Sequence, residues 1–295
     1  GQPVCGRAGS SWNVAEPFFP KERLIILGGG HVALPVAEFG ARVGFLVTVV
    51  DDRLSFANPG RFPMAEKVIC DDFGHAIKEL KIQESDYICI VTRGHRHDAD
   101  CLRMIGKGKE PAYLGMIGSR RRVGIVKQEL LEEGYDPERM SRLKSPIGLK
   151  IGGVTPEEIA ISILAEIIQV KRMDREDKRV KNRSDLDFDV LKRLAEEPDE
   201  PKAVVTVIES KGSSPRGAGA KMIVYRDGRI LGSIGGGCSE AAVLGEARSL
   251  IGSGRYKVVH VDLTGEAAED EGMVCGGIMD VLVEDFATDR EPCDR

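Results

Sequence analysis

Residues 25–36 read IILGGGHVALPV, an apolar run that breaks into three glycines and resumes with helix-like spacing. Gly28, Gly30 and Ala33 form a G-x-G-x-x-A pattern directly after a strand-like segment and at the head of a helix-like one. Glycines at such a junction let the main chain approach a phosphate, and the helix start adds N–H donors and positive potential. Asp51 closes the next apolar run, VTVVD, about twenty residues on, where an acidic residue can accept from a ribose 2'-hydroxyl. That context turns a weak motif into a Rossmann-type reading. His31 is either a plain helix-opening residue or a ligand contact. Pro35 falls inside the expected helix and predicts a shifted or kinked start.

Outward from this stretch, short apolar runs alternate with helical periodicity. LIIL (24–27), FLVTVV (45–50), KVIC (67–70), YICIVT (87–92) and AYLGMI (112–117) read as strands separated by helices. This pattern predicts a parallel sheet covered on both faces. Cys70 and Cys89 lie within two of these strands and are expected in the core. TRGHRHDAD (92–100) follows a strand, where open sheets of this kind hold their ligands. Arg93 and His95 are its candidates for hydrogen bonding or phosphate contact, with a plain polar loop as the alternative. Its H-x-H-D-x-D order fits no common metal signature. In MIGSRRR (116–122), Ser119 is an expected N-cap, and with Arg120 it marks either an anion site or a solvated basic helix start. Residues 155–172 form the clearest helix, with Thr155 as N-cap, Pro156 at the first position and Glu158 completing a capping box.

Residues 173–185, MDREDKRVKNRSD, are strongly charged and predict a solvated linker. The expected organisation is a tail or remnant (1–20), a Rossmann-type α/β domain (21–172), the linker (173–185), a smaller α+β domain (186–286) and a C-terminal tail (287–295). In the smaller domain, 221–234 reads as a hairpin turning at Asp227-Gly228. A second triple glycine, SIGGGCSE, precedes a helix. A thiol at a helix start, as at Cys238, is shifted toward thiolate. VCGG (274–277) adds Cys275. Two glycine-flanked thiols indicate sulfur chemistry or a soft metal centre; structural cysteines are the other reading. Upstream, ESKGSSPRGAGAKM (209–222) carries Ser213, Ser214, Arg216 and Lys221. Arg216 and Lys221 are candidate anion clamps, or parts of a flexible surface loop.

Composition bounds these readings. The 295 residues suffice for two domains, and 42% hydrophobic with 30% charged residues is globular. The net charge of -5 argues against nucleic-acid binding by bulk charge. No apolar run reaches the roughly 18 residues of a membrane span, and no signal peptide is recognised. The seven cysteines are an odd number, so a reducing, cytoplasmic setting is expected rather than a disulfide framework. Gly1 in place of Met suggests that the numbering does not begin at a native start.

Taken together, GSSPRGAGAKM, GSIGGGCSE and VCGG resemble the CoxI-type domain of the XdhC/CoxI family, the xanthine dehydrogenase accessory factors. GGGHVALPVAEFG, VTVVDDR, TRGHRHD, GMIGSRRR and SPIGLKIGGVTPEEIAISILAEI resemble that family's Rossmann-type domain. The resemblance implies a cytoplasmic, homodimeric maturation factor rather than a turnover enzyme. Such a factor binds the molybdenum cofactor (molybdopterin), assists its sulfuration with a cysteine desulfurase, and passes it to the apo-form of a molybdenum hydroxylase. It also implies site residues. Cys238 and Cys275 would act at the sulfur or, for Cys238, contact the molybdenum. Ser213, Ser214, Arg216, Lys221, Gly235, Gly236, Gly237 and Glu240 would hold the cofactor. Gly28, Gly30, His31, Asp51, Arg93, His95, Ser119 and Arg120 would line a nucleotide or NAD(P) crevice. The alternatives are an NAD(P)-dependent oxidoreductase and a non-catalytic scaffold. The family usually places its CoxI-type domain first; here the order is reversed. VCGRAGSSWNVAEPFFP (4–20) loosely echoes VCGGIMDVLVEDF (274–286), as a remnant of an upstream CoxI-like end or a rearranged chain would.

Overall fold

The computed structural model describes residues 4–8, 11–18, 20–173, 184–262 and 277–286. The chain divides into two compact units, Pro20–Arg179 and Gly1–Phe19 with Val180–Arg295. The first described residues are β1 (Val4–Ala8) and β2 (Ser11–Ala15), an antiparallel pair. These residues, expected as a tail or remnant, group with the C-terminal half of the chain.

The unit Pro20–Arg179 runs β3 (Arg23–Leu27), α1 (Ala33–Arg42), β4 (Leu46–Asp51), β5 (Lys67–Cys70), α2 (Phe73–Leu80), β6 (Tyr87–Ile90), α3 (His95–Gly106), β7 (Tyr113–Met116), α4 (Arg120–Glu132), α5 (Pro137–Arg142) and α6 (Pro156–Met173). Its five strands are all parallel, in the order β5-β4-β3-β6-β7. Consecutive residues of one strand serve opposite faces. Ile25 and Leu27 pack with α2, α3 and α4, whereas Leu24 and Ile26 pack with α1 and α6. A strand buried on both sides must be apolar throughout, which is why LIIL shows no polar alternation.

The caps follow local chemistry. Ser119 accepts from the Arg122 N–H at the start of α4. Ahead of α6, Thr155 accepts from the Glu158 N–H, while the Glu158 carboxylate takes the N–H groups of Val154 and Thr155. Those two bonds hold the Glu158 carboxyl below the usual carboxylate range. The helix α1 starts at Ala33, two residues after His31, and Pro35 is its third residue, in the first turn, where the N–H it lacks has no partner. Cys89 is buried, but Cys70 is exposed, correcting the core assignment. β5 is an edge strand whose outer flank has no neighbour in the sheet, so its residues are only partly covered.

The other unit continues with α7 (Phe188–Glu196), β8 (Lys202–Gly212), β9 (Lys221–Tyr225), β10 (Ile230–Gly232), α8 (Gly237–Leu250), β11 (Tyr256–Asp262) and β12 (Gly277–Phe286). These strands form an antiparallel sheet in the order β10-β9-β8-β12-β11. Val243 and Ala247 of α8 pack on the face made by Val205, Val207, Met222, Val224, Val281 and Val283. Val190 of α7 packs on Ile223 and Tyr225 across the sheet. The β9–β10 hairpin turns at Gly228, with φ +93°. The molecule is thus an α/β Rossmann-type unit followed by a smaller α+β unit. Most of the expected linker (174–183) and the C-terminal tail (287–295) lie outside the described residues. Among the described residues no helix is long and apolar enough to cross a membrane.

Candidate functional sites

In the Rossmann-type unit the strand order reverses between β3 and β6, so their C-terminal ends open a crevice. Three consecutive glycines fill this turn for different reasons. Gly28 has φ +113°, and a Cβ there would lie 2.5 Å from the Val91 carbonyl oxygen. At Gly29 a Cβ would lie 2.5 Å from the Phe56 carbonyl oxygen. At Gly30 it would meet nothing within 4 Å. The protein itself therefore demands glycine at 28 and 29, while the space above Gly30 is open.

Asp51 is 2% exposed and accepts four hydrogen bonds. They come from the N–H of Gly29 (2.8 Å), the N–H of Arg53 (3.0 Å), and the Arg53 guanidinium through Nε (2.8 Å) and Nη2 (3.0 Å). A carboxylate offers about four lone-pair sites, so none remains for a ribose hydroxyl while Arg53 stays in place. Burial works to raise the Asp51 carboxyl, but the bonds from Arg53 and Gly29 hold it below the usual range. Arg93 is committed to Asp52 through two bonds of 3.1 and 2.8 Å. His31 is exposed at the turn, as are Ser119 and Arg120 at the start of α4. His95 opens α3, but its side chain is outside the described residues.

Deeper in the same unit, the fully buried carboxylate of Asp98 accepts from Thr92 and Arg122. Burial pushes its carboxyl up, against both of those bonds. Among the described residues no group of three or more His, Cys, Asp or Glu is arranged to hold a metal ion. A cavity of about 770 Å³ lies beside β7 and α5, lined by Glu110, Tyr113, Tyr135, Arg139 and Arg142. It includes none of the candidate residues.

In the α+β unit, the second triple glycine is a conformational necessity. Gly235, Gly236 and Gly237 have φ of +133°, +71° and +50°, which residues with side chains rarely adopt. Glu240, in the first turn of α8, braces this loop from within. Its Oε1 accepts from Ser233 Oγ (2.6 Å), the Gly236 N–H (3.0 Å) and the Ile234 N–H (3.3 Å). The Gly235 N–H donates to Ser233 Oγ. Three segments meet at this end of the sheet. A Cβ on Gly235 would lie 2.4 Å from Pro215 Cγ, and one on Gly277 would lie 2.6 Å from the Ser214 nitrogen. The loop after β8, the glycine loop and the start of β12 are therefore in contact. Cys238 is the second residue of α8, in a turn whose N–H groups have no intrahelical acceptor. Its side chain and the whole of Cys275 are outside the described residues.

The two expected anion clamps are engaged with carboxylates. Arg216 Nε donates to Asp185 Oδ2 at 2.6 Å, and its Nη2 donates to the Asp185 carbonyl. The Gly217 N–H also donates to Asp185. Lys221 is buried between Glu16 (2.7 Å) and Thr206 (3.0 Å). Ser213 is exposed, and Ser214 Oγ donates to the Arg216 carbonyl. Glu16 and Asp185 escape a reading by motif because they act from far along the chain, with no local pattern to mark them.

Comparison with known proteins bears on both units. Residues 24–167 match the XdhC Rossmann domain, and residues 195–262 match the XdhC and CoxI family. The chain belongs to the XdhC/CoxI family. Its Rossmann-type domain precedes its CoxI-type domain, as the motifs indicated. It is 36% identical to the "Uncharacterized protein YqeB" of Escherichia coli (strain K12) over 57% of this chain and 30% of that one. It is 34% identical to a probable xanthine dehydrogenase subunit of Bacillus subtilis (strain 168), over 52% of this chain and 44% of that one. It is 40% identical to the "Molybdenum cofactor insertion chaperone PaoD" of Escherichia coli (strain K12), over 25% of this chain and 23% of that one. The chain spans less than half the length of each of these relatives.

Proposed function

We propose that this XdhC/CoxI protein is a maturation factor for a molybdenum hydroxylase of the xanthine dehydrogenase type. It binds the molybdenum cofactor, keeps it while a cysteine desulfurase supplies its terminal sulfur, and hands it to the apo-enzyme. The observation that carries this reading is the packing of the loop after β8 against both the start of β12 and the glycine loop that leads into α8, where Cys238 sits. Two relatives support it, one named a probable xanthine dehydrogenase component and the other a molybdenum cofactor insertion chaperone.

The residues fit such a cofactor in part. Cys238 lies in the first turn of α8, and cysteine sulfur is a soft ligand suited to molybdenum or its sulfur. Cys275, two residues before Gly277, is the second such thiol in sequence. The α8 N-terminus and Ser213 suit the phosphate of the pterin. Arg216, Lys221 and Glu240 shape the loops through Asp185, Glu16 and Ser233 rather than clamping the phosphate. The cofactor supplies the molybdenum centre at which the client enzyme hydroxylates its substrate. In the other unit, the open space above Gly30 supports a nucleotide whose phosphates rest on the Gly28–Gly30 turn.

Transfer is the test. The protein, loaded with sulfurated cofactor and freed of excess, is mixed with cofactor-free hydroxylase. Hydroxylase activity should rise in proportion to the loaded protein. Activation no better than with free cofactor would refute the handover.

A further inference from the structure

The nucleotide side of the Rossmann crevice is built from arginine. In the Rossmann pattern, an acidic residue ending the second strand takes the ribose 2'-hydroxyl, and a nearby arginine instead accommodates a 2'-phosphate. Asp51 holds the acidic position, yet its four bonds leave no acceptor free. Arg53 occupies the place that a ribose hydroxyl would take. It binds Asp51 through Nε and Nη2, so Nη1 is not used in that pair. One face of its guanidinium lies 3.7 Å from the centroid of Phe56, and its side chain is 32% exposed.

Two further arginines stand around it. Arg61 donates to the carbonyls of Gly29 (3.2 Å) and Gly30 (3.4 Å), which brings its charge against the phosphate turn. Arg93 is paired with Asp52, but both partners are solvent-accessible, at 45% and 28%. A solvent-accessible pair of this kind contributes little, so a phosphate can replace Asp52 at little cost. The local balance is three guanidiniums against two carboxylates, linked through the Arg53 Nε–Asp52 ion pair at 3.7 Å into one network. Such a site attracts a ribose phosphate and offers little to a bare hydroxyl.

We infer that the crevice selects a nucleotide whose ribose carries a 2'-phosphate, bound by Arg53 and Arg93, over its unphosphorylated counterpart. This rests on the reading of the crevice as a nucleotide site. Isothermal titration of the full chain at fixed salt, with NADP+ against NAD+ and adenosine 2',5'-bisphosphate against AMP, separates the two ideas. The 2'-phosphorylated member of each pair should bind at least tenfold tighter. Arg53→Ala should remove most of that ratio. Because Arg53→Ala also unsaddles the buried Asp51, Arg93→Ala serves as the second variant; it changes only an exposed pair and should cut the ratio severalfold. Equal or tighter binding of NAD+ and AMP overturns the inference and leaves the nucleotide site standing. Failure of all four ligands to bind overturns both. A preference that survives both substitutions assigns it to other residues and overturns the roles given to Arg53 and Arg93.

Discussion

Glu240→Ala tests how the second glycine loop is held. The Glu240 carboxylate takes three donors, Ser233 Oγ at 2.6 Å, Gly236 N–H at 3.0 Å and Ile234 N–H at 3.3 Å. A hydrogen bond to a charged acceptor contributes about 1.5–3 kcal/mol when well formed. The long Ile234 bond adds little, and the loop is only part-buried, so water replaces some of what is lost. The negative charge in the first turn of α8 adds a few tenths of a kcal/mol through the helix dipole. The loop should therefore open more easily by about 2–3 kcal/mol. At about 1.4 kcal/mol per tenfold, this is roughly a 30- to 150-fold rise in the open population. Amide hydrogen exchange, read on peptides covering 230–240, should speed up by that factor at Ile234 and Gly236. Peptides from β3, in the other unit, should not change. Glu240→Gln keeps one acceptor oxygen and should fall between. Exchange within twofold of wild type in Glu240→Ala would refute the brace.

Gly28→Ala places a Cβ 2.5 Å from a main-chain oxygen at positive φ, so it should destabilise the Rossmann-type unit by about 2–4 kcal/mol in urea unfolding. Gly30→Ala meets open space and should leave that stability unchanged while lowering nucleotide affinity at least tenfold in the titration. For Asp51 the folded carboxyl lies below its unfolded value of about 3.9, so its stabilisation is present above that value and is lost as pH falls through the lower, folded one. Asp51→Asn should therefore be less stable than wild type at neutral pH, and the gap should narrow from about pH 4 downward in denaturant titrations. Burial raises the thiols of Cys89 and Cys101 well above the ordinary cysteine range, whereas Cys70 is exposed. Maleimide labelling followed by mass spectrometry should modify Cys70 in the native protein, and Cys89 and Cys101 only after denaturation.

The Rossmann-type unit is legible in the sequence because its signals are local. LIIL is apolar at every position since both faces are buried, and the Thr155–Glu158 box writes the start of α6 into four residues. The β9–β10 hairpin is equally plain from Asp227-Gly228, where only glycine suits φ +93°. What the pattern does not show depends on pairing across long separations. Glu16 looks like any charged residue until Lys221 is buried against it. Asp185 sits at the end of a charged run and reads as linker, yet it fixes the Arg216 loop. α7 is amphipathic in sequence, but it follows a charged run and only Val190 of it is fully buried. At the crevice, the motif picks out Asp51 as the acidic residue of the second strand. Its saturation by Arg53 follows from a side-chain geometry that spacing does not encode.

The most direct measurement is cofactor retention. The purified protein is incubated anaerobically with molybdenum cofactor, passed through gel filtration, and assayed for co-eluting molybdenum and pterin beside Cys238→Ala and Cys70→Ala. Near-stoichiometric molybdenum and pterin on wild type and Cys70→Ala, with loss of both on a folded Cys238→Ala, is the expected result. Equal retention by Cys238→Ala, or no retention by wild type, would contradict the assignment of the α8 start as the cofactor site.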